Sequence, residues 1–309
     1  MGVKHGYTAT GTNDGAKQVS VDRWNQEHVV DVDVDFPIQT SDPSAPADGL
    51  LTVFAKKIGG RSMLVQKGPS GLDTSFQPNL GGNKVALWMP PGNATTVPGV
   101  FGMAALTATG TATTRNVATT NLLTRMTRLG YVSAATAGSL SGAREAAAKY
   151  TTGAGAGLGG FFVRYRFAPS DAAAVSGARM FVGLSSATGA PTNVEPSTLT
   201  NVLGVCQLST SNNLQILGAG ASAGTPVDLG ANFPANGNAA AYELTMFGAP
   251  NGTVYWQVTR LDTGAVASGT FANAPLSTVL LCHQLWRTNN ATALAVGLDI
   301  CGIYIETDY

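Results

Sequence analysis

Charge is what this chain has least of. Only 12% of its 309 residues are Asp, Glu, Lys or Arg, about half the share of ordinary soluble domains. The 18 basic residues balance 18 acidic ones, so no long-range field of either sign can steer the chain towards nucleic acid or an anionic membrane. Cysteine is scarce as well. Cys206, Cys282 and Cys301 are widely spaced and form no C-x-x-C pair, which argues against zinc and redox chemistry and for small buried hydrophobes. No run of about 18 apolar residues occurs, and "MGVKHGYTATG" carries no apolar h-region, so neither membrane insertion nor secretion is expected. The G-x-S-x-G elbow, the H-E-x-x-H zinc helix and the G-x-x-x-x-G-K-[ST] phosphate loop are all missing. Histidine, the usual base for a nucleophile, occurs three times, as His5, His28 and His283. Cys282 and His283 are neighbours, and on a strand they point to opposite faces and form no dyad. No enzyme activity and no cofactor is expected.

What remains is small residues and strand-forming runs. Glycine is high at 38 residues, with Ala and Thr abundant, which suits many turns, close packing and surfaces covered by another copy of the chain. Residues 1–49 form a polar lead. Within it, "KQVSVDRWNQEHVV" offers a helix start at Ser20 or Asp22, with Trp24 as the one large anchor. "DVDVDF" puts Asp31, Asp33 and Asp35 on one face of a strand and Val32, Val34 and Phe36 on the other. The three carboxylates are a candidate cation site, although the Gly and Glu of an EF-hand loop are missing, and a solvated strand face is the plainer reading.

"SDPSAPADG" closes the lead as a linker, and residues 50–105 follow as a small β module. "GLLTVFAKKIGGRSMLVQKG" reads as a hairpin turning at Gly59-Gly60, and "NKVALWMPPGN" as a strand that Pro90-Pro91 stops. Residues 106–158 are poor in bulky side chains and read as an extended connector, with Leu122, Leu123, Met126 and Leu129 as its compact apolar cluster. "GAGAGLGG" at 153–160 precedes a strand and reads as spacer.

From 159 to 309 the pattern is β throughout. In "GGFFVRYRFA", Phe161, Val163, Tyr165 and Phe167 share one face, and Phe162, Arg164 and Arg166 the other. In "TVYWQVTRL", Val254, Trp256 and Val258 oppose Tyr255, Gln257 and Thr259. About nine such runs, separated by Gly, Pro, Asn, Asp or Thr turns, predict a mainly β chain with a C-terminal antiparallel, jelly-roll-like β-sandwich. Sugars are held by ring stacking and neutral hydrogen bonds, so exposed aromatics beside amides are the features to seek. "LWRTNNATA" places Trp286, Arg287, Asn289 and Asn290 at a strand end and the next loop, a candidate receptor contact; the competing reading has Trp286 in the core and Asn289-Asn290 as a turn. Glycoside cleavage needs paired carboxylates, for which Asp171, Glu195, Asp228, Glu243, Asp262 and Asp299 are the candidates.

"GPSGLDTSFQP", "PPGNATTVPGVFG", "RNVATTNLLTRMTRLGYVSAATAGSLSGAR", "PTNVEPSTLTN" and "LWRTNNATALAVGLDICGIYIETDY" resemble segments of tail fibres and related appendage proteins of tailed bacteriophages. The resemblance spans roughly residues 50–309, and "KQVSVDRWNQEHVVD" is similar to the virion-proximal ends of such proteins. It implies a structural virion protein assembled in the host cytoplasm, a homotrimer whose residues 1–49 attach to the particle, with Trp24 and His28 as contacts, and whose 159–309 sandwich meets a bacterial receptor, carbohydrate among the candidates. Low charge and many small residues independently suit chains that cover one another's sheet edges. A tailspike glycosidase and a head decoration fibre without receptor binding are the alternatives.

Overall fold

The computed structural model describes residues 2–3, 28–29, 35–47, 49–58, 61–69, 73–75, 84–155, 158–249 and 251–307. The chain divides into two compact units: Met1–Pro69 with Asp73–Gln77, and Ser70–Leu72 with Pro78–Tyr309. The expected helix start and Trp24, Asp31 and Asp33 lie outside the described residues. Asp35 and Phe36 are described, stand outside any strand and are exposed, so the alternation expected for "DVDVDF" does not reach them.

In the first unit, β1 (Gly2–Val3) pairs with β2 (His28–Val29), so His28 lends its backbone to a ladder. β3 (Thr52–Ile58), β4 (Arg61–Lys67) and β5 (Asp73–Ser75) form an antiparallel meander. Ile58 pairs with Arg61 in the antiparallel β3–β4 ladder, and Gly59 and Gly60, where the turn was expected, lie outside the described residues. Phe54 and Val65 are its buried pair. Ile38 bridges to Ala55, and the Gln39 N–H donates to the Ala55 carbonyl at 2.8 Å. The end of the lead and this hairpin are therefore one body, and a boundary at residue 49 does not separate them.

The second unit is an antiparallel β-sandwich, which makes the fold mainly β as the alternation implied. It begins with β6 (Lys84–Trp88) and β7 (Val100–Phe101). β8 (Thr107–Thr109), β9 (Thr111–Thr114), the single helical turn α1 (Leu122–Arg125), β10 (Leu129–Val132) and β11 (Leu140–Arg144) come next. β12 (Phe161–Pro169), β13 (Arg179–Ser185), β14 (Val202–Gln207), β15 (Gln215–Ala219) and β16 (Val227–Asp228) continue the chain. β17 (Tyr242–Gly248), β18 (Val254–Arg260), β19 (Val266–Thr270), β20 (Cys282–Thr288) and β21 (Gly297–Thr307) complete it. One sheet runs β19-β18-β17-β12-β21-β10-β9, with β6 also beside β21 and β7 beside β6, nine strands in all. The other has seven, in the order β16-β15-β14-β13-β20-β11-β8. The last two strands thus lie in the middle of the sheets.

Two expected boundaries fall for one reason. β21 has 11 residues; β10 pairs with its first half, Gly297 to Ile300, and β6 with its second, Ile303 to Thr307. β6 buries Ala86 and Trp88 in the sandwich core, so the expected 50–105 module is split between the two units. Likewise 106–158 is no connector: β9 and β10 extend the larger sheet, and β8 and β11 the smaller. Its small residues are what allow this. At Gly142, opposite Trp286, a Cβ would sit 2.1 Å from the Leu285 carbonyl oxygen. Gly110, at φ +77°, is the single residue between β8 and β9, where the chain passes from one sheet to the other. Leu122 and Leu123 lie in a helical turn, capped by the Asn121 side chain, which accepts from Thr124 N–H at 2.9 Å.

The core lies between the sheets. Phe161, Val163, Tyr165 and Phe167 from β12, and Leu298, Ile300, Ile303 and Ile305 from β21, meet Met180, Val182 and Leu184 from β13 and Leu203 and Val205 from β14. Within it, the Tyr165 hydroxyl and His283 Nδ1 are hydrogen-bonded at 2.7 Å. Burial, and then the positive charge of Lys149, push the His283 pKa down to about 3, so the ring is neutral at ordinary pH.

Candidate functional site

β20 is buried along its whole length, and this decides the expected receptor contact. Its even-numbered residues, Cys282, Gln284, Trp286 and Thr288, face away from the core, onto the outer side of the smaller sheet. There Trp286 joins Phe181, Val202, Cys206, Leu217 and Ala219 in a second apolar layer. Residues 186–201 lie over that layer, tied down by side chains of the sheet. Gln284 Nε2 donates to the Ala187 carbonyl, Thr288 Oγ1 donates to Asn193 Oδ1 at 2.8 Å, and Arg179 is ion-paired with Glu195 at 2.7 Å. Trp286 is 1% exposed.

Arg287 faces inward and is fully buried, its Nε donating to Asp171 Oδ1 at 2.9 Å and its Nη1 to Gln207 Oε1 at 2.6 Å. Asn289, also fully buried, donates through Nδ2 to the carbonyls of Ala134, Thr136 and Leu294. Asn290, half-buried at φ +51°, accepts from Gly138 N–H through its backbone carbonyl. Trp286, Arg287 and Asn289 are therefore corrected from receptor contacts to internal supports, and Asn290 is a turn residue. The Trp286 ring, the Arg287 guanidinium and the Asn289 amide nitrogen are all engaged inside the fold.

The larger sheet is built differently. β12 and β17 alternate between buried and more exposed residues, and the outer face is open from Phe162 to Arg166; only beyond the bulge at Arg166/Phe167 is it covered, where Ala168 packs against Leu123 of α1. Cross-strand pairing aligns the outward residues in rows. Phe162, Phe247, Tyr255 and Thr270 form one row across β12, β17, β18 and β19. Arg164, Thr245, Gln257 and Ser268 form the next. Phe247 and Tyr255 are stacked, centroids 6.2 Å apart and planes 19° apart, yet remain 39% and 46% exposed. With Thr245, Gln257, Ser268 and Thr270 they line an open concavity of about 430 Å³. Beyond β12, on β21, the row of Arg164 continues to Tyr304 and then to Leu87 on β6. Six strands at ~4.8 Å spacing make this face about 24 Å wide.

None of the six candidate carboxylates is idle. Asp171 holds Arg287, Asp299 holds Arg115 and Arg128 at 2.9 Å each, and Glu195 holds Arg179 and Ser209. Glu243 lies between Arg164 and Arg166, Asp262 holds Arg260, and Asp228 caps its own turn through Gly230 N–H. Cys282 donates its thiol to the Ser185 and Ala187 carbonyls, and burial raises its pKa to about 11, so it is a poor nucleophile. Among the described residues no cluster of three His, Cys, Asp or Glu could hold a metal ion.

The exposed aromatic pair, which the sequence expectation did not include, lies on a strand face, whereas Trp286 to Asn290 lie at a strand end. Alternation carries the signal: "VYWQV" puts Tyr255 outward and "YELTMFG" puts Phe247 outward. No protein-family model and no curated protein matches the chain. Solved structures do resemble it in architecture. Peanut lectin, solved with a nonamer peptide, is 13% identical with a TM-score of 0.48, over 73% of this chain and 97% of its own. Arcelin-5, a lectin-like defence protein from Phaseolus vulgaris, is 9% identical with a TM-score of 0.47, over 74% and 99%. A protein of unknown function from Shewanella oneidensis is 16% identical at 0.47, over 73% and 86%. Lectins are among these neighbours; the β-sandwich itself is shown by the sheet order above.

Proposed function

We propose that this chain is a non-catalytic recognition protein whose sandwich binds saccharides of a bacterial surface through the outer face of its nine-stranded sheet. The observation that carries this reading is the stacked, exposed Phe247–Tyr255 pair set among the hydroxyls of Thr245, Ser268 and Thr270 and the amide of Gln257. Flat rings offer the faces of sugar rings an apolar platform, and neutral donors and acceptors around them bond hydroxyl groups without the cost of burying charge. The virion setting, with the protein as the receptor-facing part of a trimeric tail fibre, rests on the phage-like segments quoted above. The first unit supports an attachment role for the N-terminal part: Phe36, Ile38, Leu50 and Leu51 are exposed close together in sequence, and such apolar side chains are best covered by another chain.

A glycoside-cleaving tailspike is disfavoured, because each candidate carboxylate already serves a partner of its own. A decoration protein without a receptor leaves the exposed aromatic pair without a use. The test is binding of the full chain to an array of bacterial surface polysaccharides, with the double variant Phe247→Ala, Tyr255→Ala beside it. Binding that the variant loses, with no release of reducing sugar, is the expected result. An array without a single bound glycan, or steady hydrolysis of one, would overturn the reading.

A further inference from the structure

The aromatic concavity fills only one end of the outer face. The other end, across β12, β21 and β6, holds a second concavity of about 310 Å³ lined by Leu87, Met89, Arg164, Arg166, Gly302 and Tyr304. Gly302 leaves its floor open, since a Cβ there would find its first neighbour, the Trp88 carbonyl oxygen, only at 4.0 Å. The side chains of Arg164 and Arg166 are 43% and 47% exposed, two residues apart on one strand and aimed to the same side.

Their donors are mostly unspent. Arg166 Nε donates to Glu243 Oε2 at 2.6 Å, and Arg164 Nε stands 3.4 Å from Glu243 Oε1 as an ion pair without a hydrogen bond. The terminal nitrogens of both guanidiniums make no hydrogen bond to a described residue. Glu306, the other acid on this face, accepts from the Tyr304 hydroxyl instead. Phe162 lies beneath Arg164, 5.8 Å from ring centroid to guanidinium carbon, and steadies its plane. A guanidinium carries five N–H donors in a planar fork that fits a two-oxygen anion edge to edge. Two such forks in a row beside an aromatic ring, with Glu243 using one N–H of Arg166 and Glu306 turned to Tyr304, are shaped for one kind of guest.

We propose that the saccharide bound on this face is acidic, and that Arg164 and Arg166 receive its carboxylate while its neutral residues extend over Phe247 and Tyr255. This rests on the saccharide reading above and names the ligand class for it. Glu243 is then a competitor for the same guanidiniums, held in place when no ligand is bound.

The experiment repeats the array with the full chain and three variants: Arg164→Gln with Arg166→Gln, Glu243→Gln, and Phe247→Ala with Tyr255→Ala. Glycans that bind are then re-tested after chemical reduction of their carboxylates to alcohols. Expected are uronate- or sialate-type glycans among the hits, a loss of at least about tenfold on carboxyl reduction or in the arginine variant, and weakening as salt rises. The Glu243→Gln variant is expected to bind about threefold more tightly, which a merely structural carboxylate would not do. Neutral hits that the arginine variant still binds would overturn the acidic ligand and leave saccharide recognition standing. Hits that carry phosphate and no carboxylate would overturn it too. Loss of all hits only in the aromatic variant has the same meaning, whereas a chain that binds no glycan sinks both readings. A face covered by a second copy, seen as a dimer by light scattering that Tyr255→Ala abolishes, would also end the proposal. Circular dichroism of each variant separates lost binding from lost fold.

Discussion

The two sheets of the sandwich use their outer faces in opposite ways. The smaller sheet turns Phe181, Cys206, Leu217 and Trp286 outward and then covers them with residues 186–201, so every residue of β14 and β20 is buried. The larger sheet turns Phe162, Phe247, Tyr255, Arg164 and Arg166 outward and leaves them open. Both faces carry large side chains, so residue type alone does not separate a support from a contact. What separates them is whether the polar atoms nearby already have partners. On the covered face Arg179, Gln284 and Thr288 are spent on the overlying segment; on the open face the arginine forks and the ring faces are still available.

The largest effect expected is on the covered face. Trp286→Ala removes the biggest side chain of that layer and should cost about 3–5 kcal/mol in urea unfolding, while protein that still folds should keep the glycan binding proposed for the other face. A Trp286→Ala protein that folds normally and loses only binding would reverse the comparison. Asp171→Asn comes next, because it leaves the fully buried Arg287 without its counter-charge, and a broken buried pair costs about 3–5 kcal/mol; thermal unfolding reads it.

The histidine beneath both faces gives a pH signature. The folded-state pKa of His283, about 3, lies below its ordinary value near 6.5. Protonation therefore favours the unfolded chain, so stability is intact above about pH 6.5 and falls as pH drops towards the folded value. The slope approaches about 1.4 kcal/mol per pH unit for one proton. Urea midpoints between pH 7 and 5, above the range where ordinary carboxylates titrate, should show that slope in the wild type and less of it in His283→Gln. Equal slopes would place the acid sensitivity elsewhere. The smallest stability effect belongs to the open face. Tyr255→Ala should cost only about 0.5–1 kcal/mol, the worth of one cross-strand aromatic pair, yet lower glycan affinity on the order of tenfold.

The larger sheet was legible in the sequence because one of its faces meets solvent. Alternation in "FFVRYRF" and "VYWQV" assigns Phe161, Val163 and Val258 to the core and Arg164, Tyr255 and Gln257 to the outside, as found. The smaller sheet was not, since "CHQLWRT" is buried on both faces and its His, Gln, Arg and Thr mimic a solvated pattern. Nothing periodic marks 186–201 as its cover. Residues 106–158 misled for a related reason: their Ala, Gly and Thr look like spacer, but they are small because Gly142 and Gly110 must lie against neighbouring backbone. The face itself was readable as a row of outward residues; its use was not, because that depends on which partners the neighbouring strands supply.

The place of β20 and β21 has a consequence for how such a molecule is made. Each completes the centre of its sheet, β20 between β13 and β11, β21 between β12 and β10. Until residues 282–307 arrive, the earlier strands are five separate pieces with open inner edges, β19-β18-β17-β12, β10-β9, β6-β7, β16-β15-β14-β13 and β11-β8, and the pairings that join them reach back as far as Lys84. Such long-range closure is slow and leaves strand edges free to find the wrong chain. Chains that meet before residues 282–307 are in place are therefore exposed to mispairing at those edges.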